Sequence, residues 1–167
     1  FGSPVLPPDW ASGPWISANR WSSQADVENA VAEAERLGFP VSALVLEAWS
    51  DEATFYIWRG AKYTPQPDGA PLSLEDFDFS GSPWPDPAGM ICRLHEKGIR
   101  VLLWQAPVYK ALGPDEPENE QHRLDCADAV RRGLCVHNAD GSPYTIPEGH
   151  WFPGSMIPDF TNPETRR

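Results

Sequence analysis

Apolar residues along this chain fall into two patterns, short continuous runs and segments with spacings of three, four and seven. Residues 41–46 and 99–104 are nearly continuous apolar runs, which are typical of strands buried on both faces of a parallel sheet. Residues 14–17 predict a third, shorter buried strand. Residues 155–160 predict a fourth.

Three segments have the spacing of amphipathic helices. The first begins after Ser23-x-x-Asp26, which resembles a capping box, and ends at Gly38. The second begins at Asp86-Pro87 and ends at Gly98, and the third ends at Gly133. Their predicted inward faces consist of Val27, Ala30, Val31, Ala34 and Leu37 in the first helix; Met90, Ile91 and Leu94 in the second; and Leu124, Ala127 and Val130 in the third.

Two shorter signals complete the pattern. Residues 134–136 and 144–146 predict a small hairpin across the turn at 138–141. Asn162-Pro163 predicts the start of a further helix. The chain opens at Phe1 with no signal-peptide pattern, and we expect it to be truncated at both ends.

Alternating strands and helices predict a parallel α/β fold. Four strands with three helices make up about half of a (β/α)8 TIM barrel. A doubly wound sheet is the alternative, although the first strand-to-helix turn lacks G-x-G-x-x-G and no phosphate loop occurs. Residues 48–85 form a long connection that is rich in aromatic side chains, so we expect it to be ordered and to form a wall of the site.

Charge and composition narrow the possible partners. The 13 Lys and Arg against 24 Asp and Glu give a net charge of −11, with no basic stripe for nucleic acid or for an anionic membrane surface. No apolar run reaches the 18 residues of a membrane span. Eight tryptophans and 19 prolines in an acidic chain are common in proteins that handle neutral sugars.

Cysteine and histidine positions do not indicate a metal or cofactor site. The three cysteines have no C-x-x-C spacing, which favours free thiols and a reducing compartment such as the cytoplasm. The four histidines lack the H-E-x-x-H spacing, and no G-x-S-x-G elbow occurs. We therefore expect neither metal nor cofactor.

In either α/β fold the site lies at the carboxyl ends of the strands. This rule selects the following residues there: Asn19, Arg20, Trp21, Glu47, Ala48, Trp49, Trp104, Gln105 and Asp159. A carboxylate, an amide, a guanidinium and indole faces suit a polar, neutral ligand such as a sugar. Alternative interpretations are a structural salt bridge for Glu47, a core position for Trp104 and a helix cap for Asp159.

Four segments in order resemble the front half of the catalytic barrel of glycoside hydrolase family 31. They are Leu6-Pro7-Pro8-Asp9-Trp10 with Gly13-Pro14-Trp15; Phe39-Pro40 through Leu46-Glu47-Ala48-Trp49; Trp84-Pro85-Asp86-Pro87-Ala88-Gly89-Met90-Ile91 with Leu94-His95-Glu96-Lys97-Gly98; and Trp151-Phe152-Pro153-Gly154 leading to Asp159-Phe160-Thr161-Asn162-Pro163. The similarity covers nearly all of residues 1–167, which we interpret as the N-terminal part of such a domain.

The resemblance implies a (β/α)8 barrel that hydrolyses α-linked glycosides with retention, using two aspartates on later strands. No residue of this chain is therefore assigned as nucleophile or acid/base. Glu47, Trp104, Trp151 and Asp159 are expected to contact the sugar at the −1 subsite, which is the reacting position. Glu47 stands where the family usually has Asp, so the identity of that sugar stays open.

The predicted partner is an oligosaccharide or glycoside substrate, with the oligomeric state left open. The family cannot fix the roles of Trp49 and Gln105. Two alternatives to hydrolysis remain, a non-catalytic carbohydrate-binding module and an α-transglycosylase. The transglycosylase differs from the hydrolase only in the acceptor.

Overall fold

Three short parallel strands form the sheet, in the order β1 (Trp15–Ser17), β2 (Ala43–Leu46) and β3 (Arg100–Leu103). The α-helices are α1 (Gln24–Arg36), α2 (Pro87–Glu96) and α3 (Glu120–Arg132), and two 3-10 helices span Asp9–Ser12 and Leu74–Asp76. The computed structural model describes residues 2–166, so Phe1 and Arg167 lie outside the described part. The order of strands and helices confirms a partial α/β barrel.

The register of the sheet aligns the carboxyl ends of its strands. Ser17 pairs with Val45, and Leu46 pairs with Leu103. The backbone N–H of Trp104 extends this ladder by donating to the Leu46 carbonyl at 2.9 Å. Residues that follow the three strands therefore lie along one edge of the sheet.

The chain consists of two compact units. Unit 1 contains residues up to 51, 57–62 and 79–105, and unit 2 contains 52–56, 63–78 and residues from 106 onward. The core of unit 1 consists of Val27, Val31, Leu44, Leu46, Trp49, Trp58, Trp84, Met90, Leu94 and Ile99. The ring of Trp58 contacts two other indoles of this core, with centroids 4.9 Å from Trp49 and 5.2 Å from Trp84.

The helix ends confirm the predicted capping residues. Ser23 Oγ accepts from the Asp26 N–H at 3.2 Å, and the Asp86 side chain accepts from the Gly89 N–H at 3.0 Å. Gly133 adopts a left-handed conformation with φ 66°, as expected of a glycine that ends a helix. These local signals located all three helices.

The predicted inward face of α3 is wrong at two of its three positions, while Leu124 is half-buried. Ala127 and Val130 are exposed, and the helix buries Gln121, His122, Asp128 and Ala129 instead. The reason is the polar backbone packed against α3 within unit 2. Gln121 exchanges two hydrogen bonds with the backbone of Gln66, at 2.7 and 3.0 Å, and His122 Nε2 lies 2.7 Å from the Lys110 carbonyl oxygen.

The predicted fourth strand is also wrong. Residues 155–160 make isolated antiparallel bridges in place of a ladder, with Met156 bridging Tyr109 and Thr145, and Pro158 bridging Cys135. A proline has no N–H to donate, which prevents a continuous ladder there. The predicted hairpin is confirmed in a short form, with the Tyr144 N–H donating to the Val136 carbonyl at 2.8 Å.

The first strand is less buried than expected. Trp15 is 45% exposed, and Ile16 alone among the residues of β1 packs against the core of unit 1. β1 has one strand neighbour, which leaves more of its surface uncovered. Within residues 2–166, no helix combines the length and the apolar character needed to cross a bilayer.

Candidate functional site

Glu47 is the first residue after β2, at the edge where the carboxyl ends of the strands meet. Leu46 before it is fully buried, whereas Glu47 is half-buried. A carboxylate that follows a buried strand is costly unless hydrogen-bond donors surround it. The two residues that supply such donors lie at the end of the neighbouring strand.

Ser17 and Asn19 hold the carboxylate of Glu47. Ser17 Oγ donates to Glu47 Oε1. The Asn19 side-chain amide is assigned with its nitrogen toward the carboxylate, because its oxygen would otherwise face only acceptors; in this orientation it donates to Oε2 and to Oε1, the latter at 3.3 Å. Both partners are neutral, so the described contacts of Glu47 are hydrogen bonds to neutral groups. Sequence reasoning placed Asn19 at a strand end but missed Ser17, which the pairing of β1 with β2 brings into reach.

Trp49 and Trp104 are joined at the same edge but differ in exposure. Trp49 is 3% exposed, and its Nε1 donates to the Trp104 carbonyl at 2.7 Å. Its ring packs edge-on against Trp58. Trp104 is half-buried. Burial leaves Trp49 little surface for a ligand, whereas Trp104 keeps part of its surface accessible.

Arg20 and Gln105 are both exposed and belong to unit 1 with Glu47. Arg20 lies in a turn, and its backbone carbonyl accepts from the Ser22 N–H at 3.0 Å. Gln105 directly follows Trp104 after the end of β3. Unit 1 therefore contains five of the predicted residues: Arg20, Glu47, Trp49, Trp104 and Gln105.

Trp151 and Asp159 belong to unit 2. Trp151 is 74% exposed and stacks on Phe152, with ring centroids 4.9 Å apart and planes 17° apart. Phe152 packs in turn on Phe55 at 5.4 Å. Both phenylalanines have positive φ, 58° for Phe152 and 62° for Phe55, which is a strained conformation for a bulky residue.

Asp159 forms a local turn. Its Oδ1 accepts from the Thr161 N–H at 2.9 Å and from Thr161 Oγ1 at 2.6 Å. The hydroxyl, the backbone N–H of Thr161 and other nearby donors hold the pKa of Asp159 below its ordinary value. Residues 161–166 form turns and no helix, so these contacts belong to a turn and the predicted helix start at Asn162-Pro163 is wrong within the described residues.

Sequence reasoning did not single out a polar network on α3 in unit 2. The side chain of Asp125 is half-buried and accepts from the Tyr56 hydroxyl and from Gln121 Nε2, the latter at 2.8 Å. Burial and the neighbouring Asp128 raise the pKa of Asp125 to about 6. These groups border an open pocket of about 720 Å3, but they hydrogen-bond one another and so stabilise the packing of unit 2.

A second cluster of unit 2 surrounds Lys110. Its Nζ pairs with Glu116, donates to the Glu52 carbonyl at 2.9 Å and lies 5.6 Å from the ring centroid of Phe55. The Lys110 ammonium and the Gly113 N–H hold the pKa of Glu116 low. Within residues 2–166, no three His, Cys, Asp or Glu side chains converge where they could hold a metal ion.

Comparison with known proteins gives a consistent set of relatives. The sequence model for the glycosyl hydrolases family 31 TIM-barrel domain matches residues 4–167. An isomaltosyltransferase of Sporosarcina globispora is 40% identical over 96% of this chain, and a 1,3-alpha-isomaltosidase of Kribbella flavida is 41% identical over 95%. The chain spans 14% and 21% of the lengths of these two relatives.

A solved structure shares the fold of nearly the whole chain. The cycloalternan-degrading enzyme of Trueperella pyogenes, in complex with a covalent intermediate, matches with a TM-score of 0.88 and 40% sequence identity. The match covers 99% of this chain and 22% of that one.

Proposed function

The chain belongs to glycosyl hydrolase family 31, and we propose that it is the N-terminal part of the (β/α)8 catalytic domain of a retaining α-glycosidase. The observation that carries the proposal is the family match over residues 4–167, together with strand-end residues suited to a sugar. We refer to the longer protein that would contain this chain as the parent protein.

The proposed substrate is an α-linked gluco-oligosaccharide with isomaltosyl units. The names of two relatives with 40% and 41% identity, an isomaltosyltransferase and a 1,3-alpha-isomaltosidase, support this substrate class. The acidic charge of the chain is compatible with a neutral substrate and unfavourable for a phosphorylated one.

The proposed role of this chain is to bind the sugar, and the proposed role of later strands is to supply the chemistry. In unit 1, Glu47 accepts from substrate hydroxyls and Trp104 packs on the C–H face of a sugar ring. In unit 2, the exposed indole of Trp151 offers a stacking surface of the same kind. The remaining proposed contacts are Gln105, Arg20 and Asp159. Trp49 supports Trp104 from the core, in place of the substrate contact predicted from sequence.

Retention requires two carboxyl groups about 5–5.5 Å apart, one attacking the anomeric carbon and one acting as acid and then as base. We propose that both are carboxylates of later barrel strands. The covalent intermediate described for the Trueperella pyogenes relative supports a double displacement. Water would accept the glycosyl group in hydrolysis.

Transfer to a sugar hydroxyl is the second candidate. The isomaltosyltransferase is 40% identical over 96% of this chain, which makes it as close a relative as the isomaltosidase. Both reactions share the donor site and the glycosyl-enzyme intermediate. The acceptor alone distinguishes them, so residues that bind the donor serve both.

A product assay tests the proposal. The parent protein is incubated with an oligosaccharide that contains α-1,3-linked isomaltosyl groups, and products are separated by chromatography while the anomeric configuration is followed by NMR. Release of isomaltose as the α-anomer supports hydrolysis with retention, and longer products support transfer. Binding without turnover would overturn the enzymatic proposal and favour a carbohydrate-binding module. Release of the β-anomer would overturn retention.

A further inference from the structure

We propose that Ser17 and Asn19 are positioning residues, which together fix the Glu47 carboxylate in the orientation that binds a substrate hydroxyl. This inference rests on the proposed function, because it assigns a role in the same sugar site. It assigns a role to Ser17 of β1 and to Asn19 of the following turn, both of which act through the residue that follows β2.

The acceptor capacity of the Glu47 carboxylate supports the proposal. A carboxylate has about four lone-pair sites, two on each oxygen. Ser17 Oγ and Asn19 both donate to Oε1, and Asn19 also donates to Oε2. One acceptor site therefore remains, on Oε2, and it can take one further donor such as a sugar hydroxyl.

The placement of the two donors makes the arrangement rigid. Ser17 is the last residue of β1 and is paired with Val45 of β2, so its hydroxyl is fixed relative to the strand that carries Glu47. Sites built on strands are held more accurately than sites on loops. Asn19 lies two residues further along, in the turn before α1.

The length of the glutamate side chain explains why positioning is needed. We call the two donors, Ser17 and Asn19, the clamp. Glutamate has one more rotatable bond than aspartate, so its carboxylate samples more positions and loses more entropy when ordered. Hydrogen bonds from two residues, Ser17 and Asn19, hold the carboxylate in place before the substrate arrives. This preorganisation lowers the cost of binding and of orienting the reacting sugar.

The test compares single variants of the parent protein with the rescue of one of them. We expect Ser17→Ala and Asn19→Ala each to lower kcat/KM about tenfold, as for loss of a hydrogen bond to a charged group. Ser17→Thr keeps a hydroxyl and is expected to stay within about twofold of the parental kcat/KM. In a Glu47→Ala background, Ser17→Ala is expected to add less than about a twofold loss, since its partner is already absent.

Monodeoxy substrates supply a readout that a purely structural role would not move. The penalty of Ser17→Ala should disappear with the substrate that lacks the hydroxyl bound by Glu47 and persist with the others. A penalty that is equal for all substrates, or additive with Glu47→Ala, would overturn the positioning role. Parental activity in both Ser17→Ala and Asn19→Ala would also overturn it.

The outcomes separate this inference from the proposed function. If Glu47→Ala loses activity while Ser17→Ala and Asn19→Ala keep full activity, the clamp is overturned and the proposed sugar site is retained. Full activity in Glu47→Ala overturns the clamp together with the role of Glu47. Calorimetric titration of isomaltose into the same variants tests the clamp even if the parent protein shows no turnover. Weaker binding in Ser17→Ala but not in Ser17→Thr supports the clamp. Equal binding in all variants overturns it.

Discussion

At the scale of single residues, the partners of Glu47 separate its two interpretations. Its described hydrogen bonds come from Ser17 and Asn19, which are neutral, rather than from the cation that a structural salt bridge requires. We expect Glu47→Gln to lower kcat/KM of the parent protein by roughly 10- to 100-fold, because the negative acceptor is lost while the shape is kept. The melting temperature should change by less than about 2 °C.

The matched control for Glu47→Gln is Glu96→Gln, at an exposed position on α2. We expect Glu96→Gln to preserve both kcat/KM and the melting temperature. Steady-state kinetics and calorimetry on the three proteins provide the comparison. A large loss of melting temperature with little loss of activity would favour a structural role for Glu47.

Asp125 predicts a pH dependence of stability. Its pKa in the folded protein is about 6, above the ordinary value of 3.8, because burial and Asp128 disfavour the charged form. The folded state then binds a proton more strongly than the unfolded state between about pH 4 and 6, so this group lowers the unfolding free energy as pH rises through that range. The loss persists at higher pH.

The variant Asp125→Asn should remove this contribution. We expect the melting temperature of the variant, relative to the unmodified chain, to increase from pH 4 to pH 6 and then to level off. Asp115→Asn, at an exposed loop position, serves as the control and should show a nearly constant difference. A difference for Asp125→Asn that does not vary with pH would contradict the raised pKa.

At the scale of secondary-structure elements, the start of α1 depends on one side chain. Ser23 Oγ accepts from the Asp26 N–H and donates to Asp26 Oδ2 at 2.7 Å. We expect Ser23→Ala to lower the free energy of unfolding by about 1 kcal/mol, because a helix N–H loses its partner. Urea denaturation of the chain measures the change.

Ser22→Ala is the neighbouring control, since the backbone N–H of residue 22 still faces Asp26 Oδ2 at 3.3 Å in that variant. It should leave the unfolding free energy within about 0.5 kcal/mol of the starting value. Equal losses in both variants would show that the Ser23 cap contributes no special stability.

The elements that were predicted correctly depend on local signals, and the errors depend on distant partners. Ser23, Asp86 and Gly133 locate helix ends because a cap acts within one turn of its own chain. The buried face of α3 could not be predicted, because it is set by Gln66, which is 55 residues from Gln121. The segment at 155–160 has strand-like composition, but Pro158 and single-residue bridges prevent a ladder.

At the scale of the whole molecule, the proposed division of roles between this chain and later barrel strands predicts that the chain alone is inactive. In that proposal this chain binds sugar, and the nucleophile and the acid/base would lie on later strands. We expect purified 167-residue chain to show no turnover of an aryl α-glycoside, with the parent protein as the active control. Turnover by the purified chain would contradict the assignment of both catalytic groups to later strands.

The candidate site was partly predictable because parallel strands place their carboxyl ends at one edge. That rule found Glu47 and Trp104 from the chain alone. It missed Ser17, which is 30 residues from Glu47 and reaches it only through the pairing of β1 with β2. The burial of Trp49 was also missed, because it depends on how residues 57–62 return to pair with residues 49–51, which places Trp58 against Trp49.

The indole cluster of unit 1 gives this fold an intrinsic optical reporter. The ring centroid of Trp58 lies 4.9 Å from that of Trp49 and 5.2 Å from that of Trp84. The ring planes of these two pairs are inclined by 69° and 60°. Transitions of chromophores this close and this inclined couple, which produces a paired positive and negative band in circular dichroism. The coupling falls steeply with separation, so its amplitude measures whether the core of unit 1 is packed, without any added label.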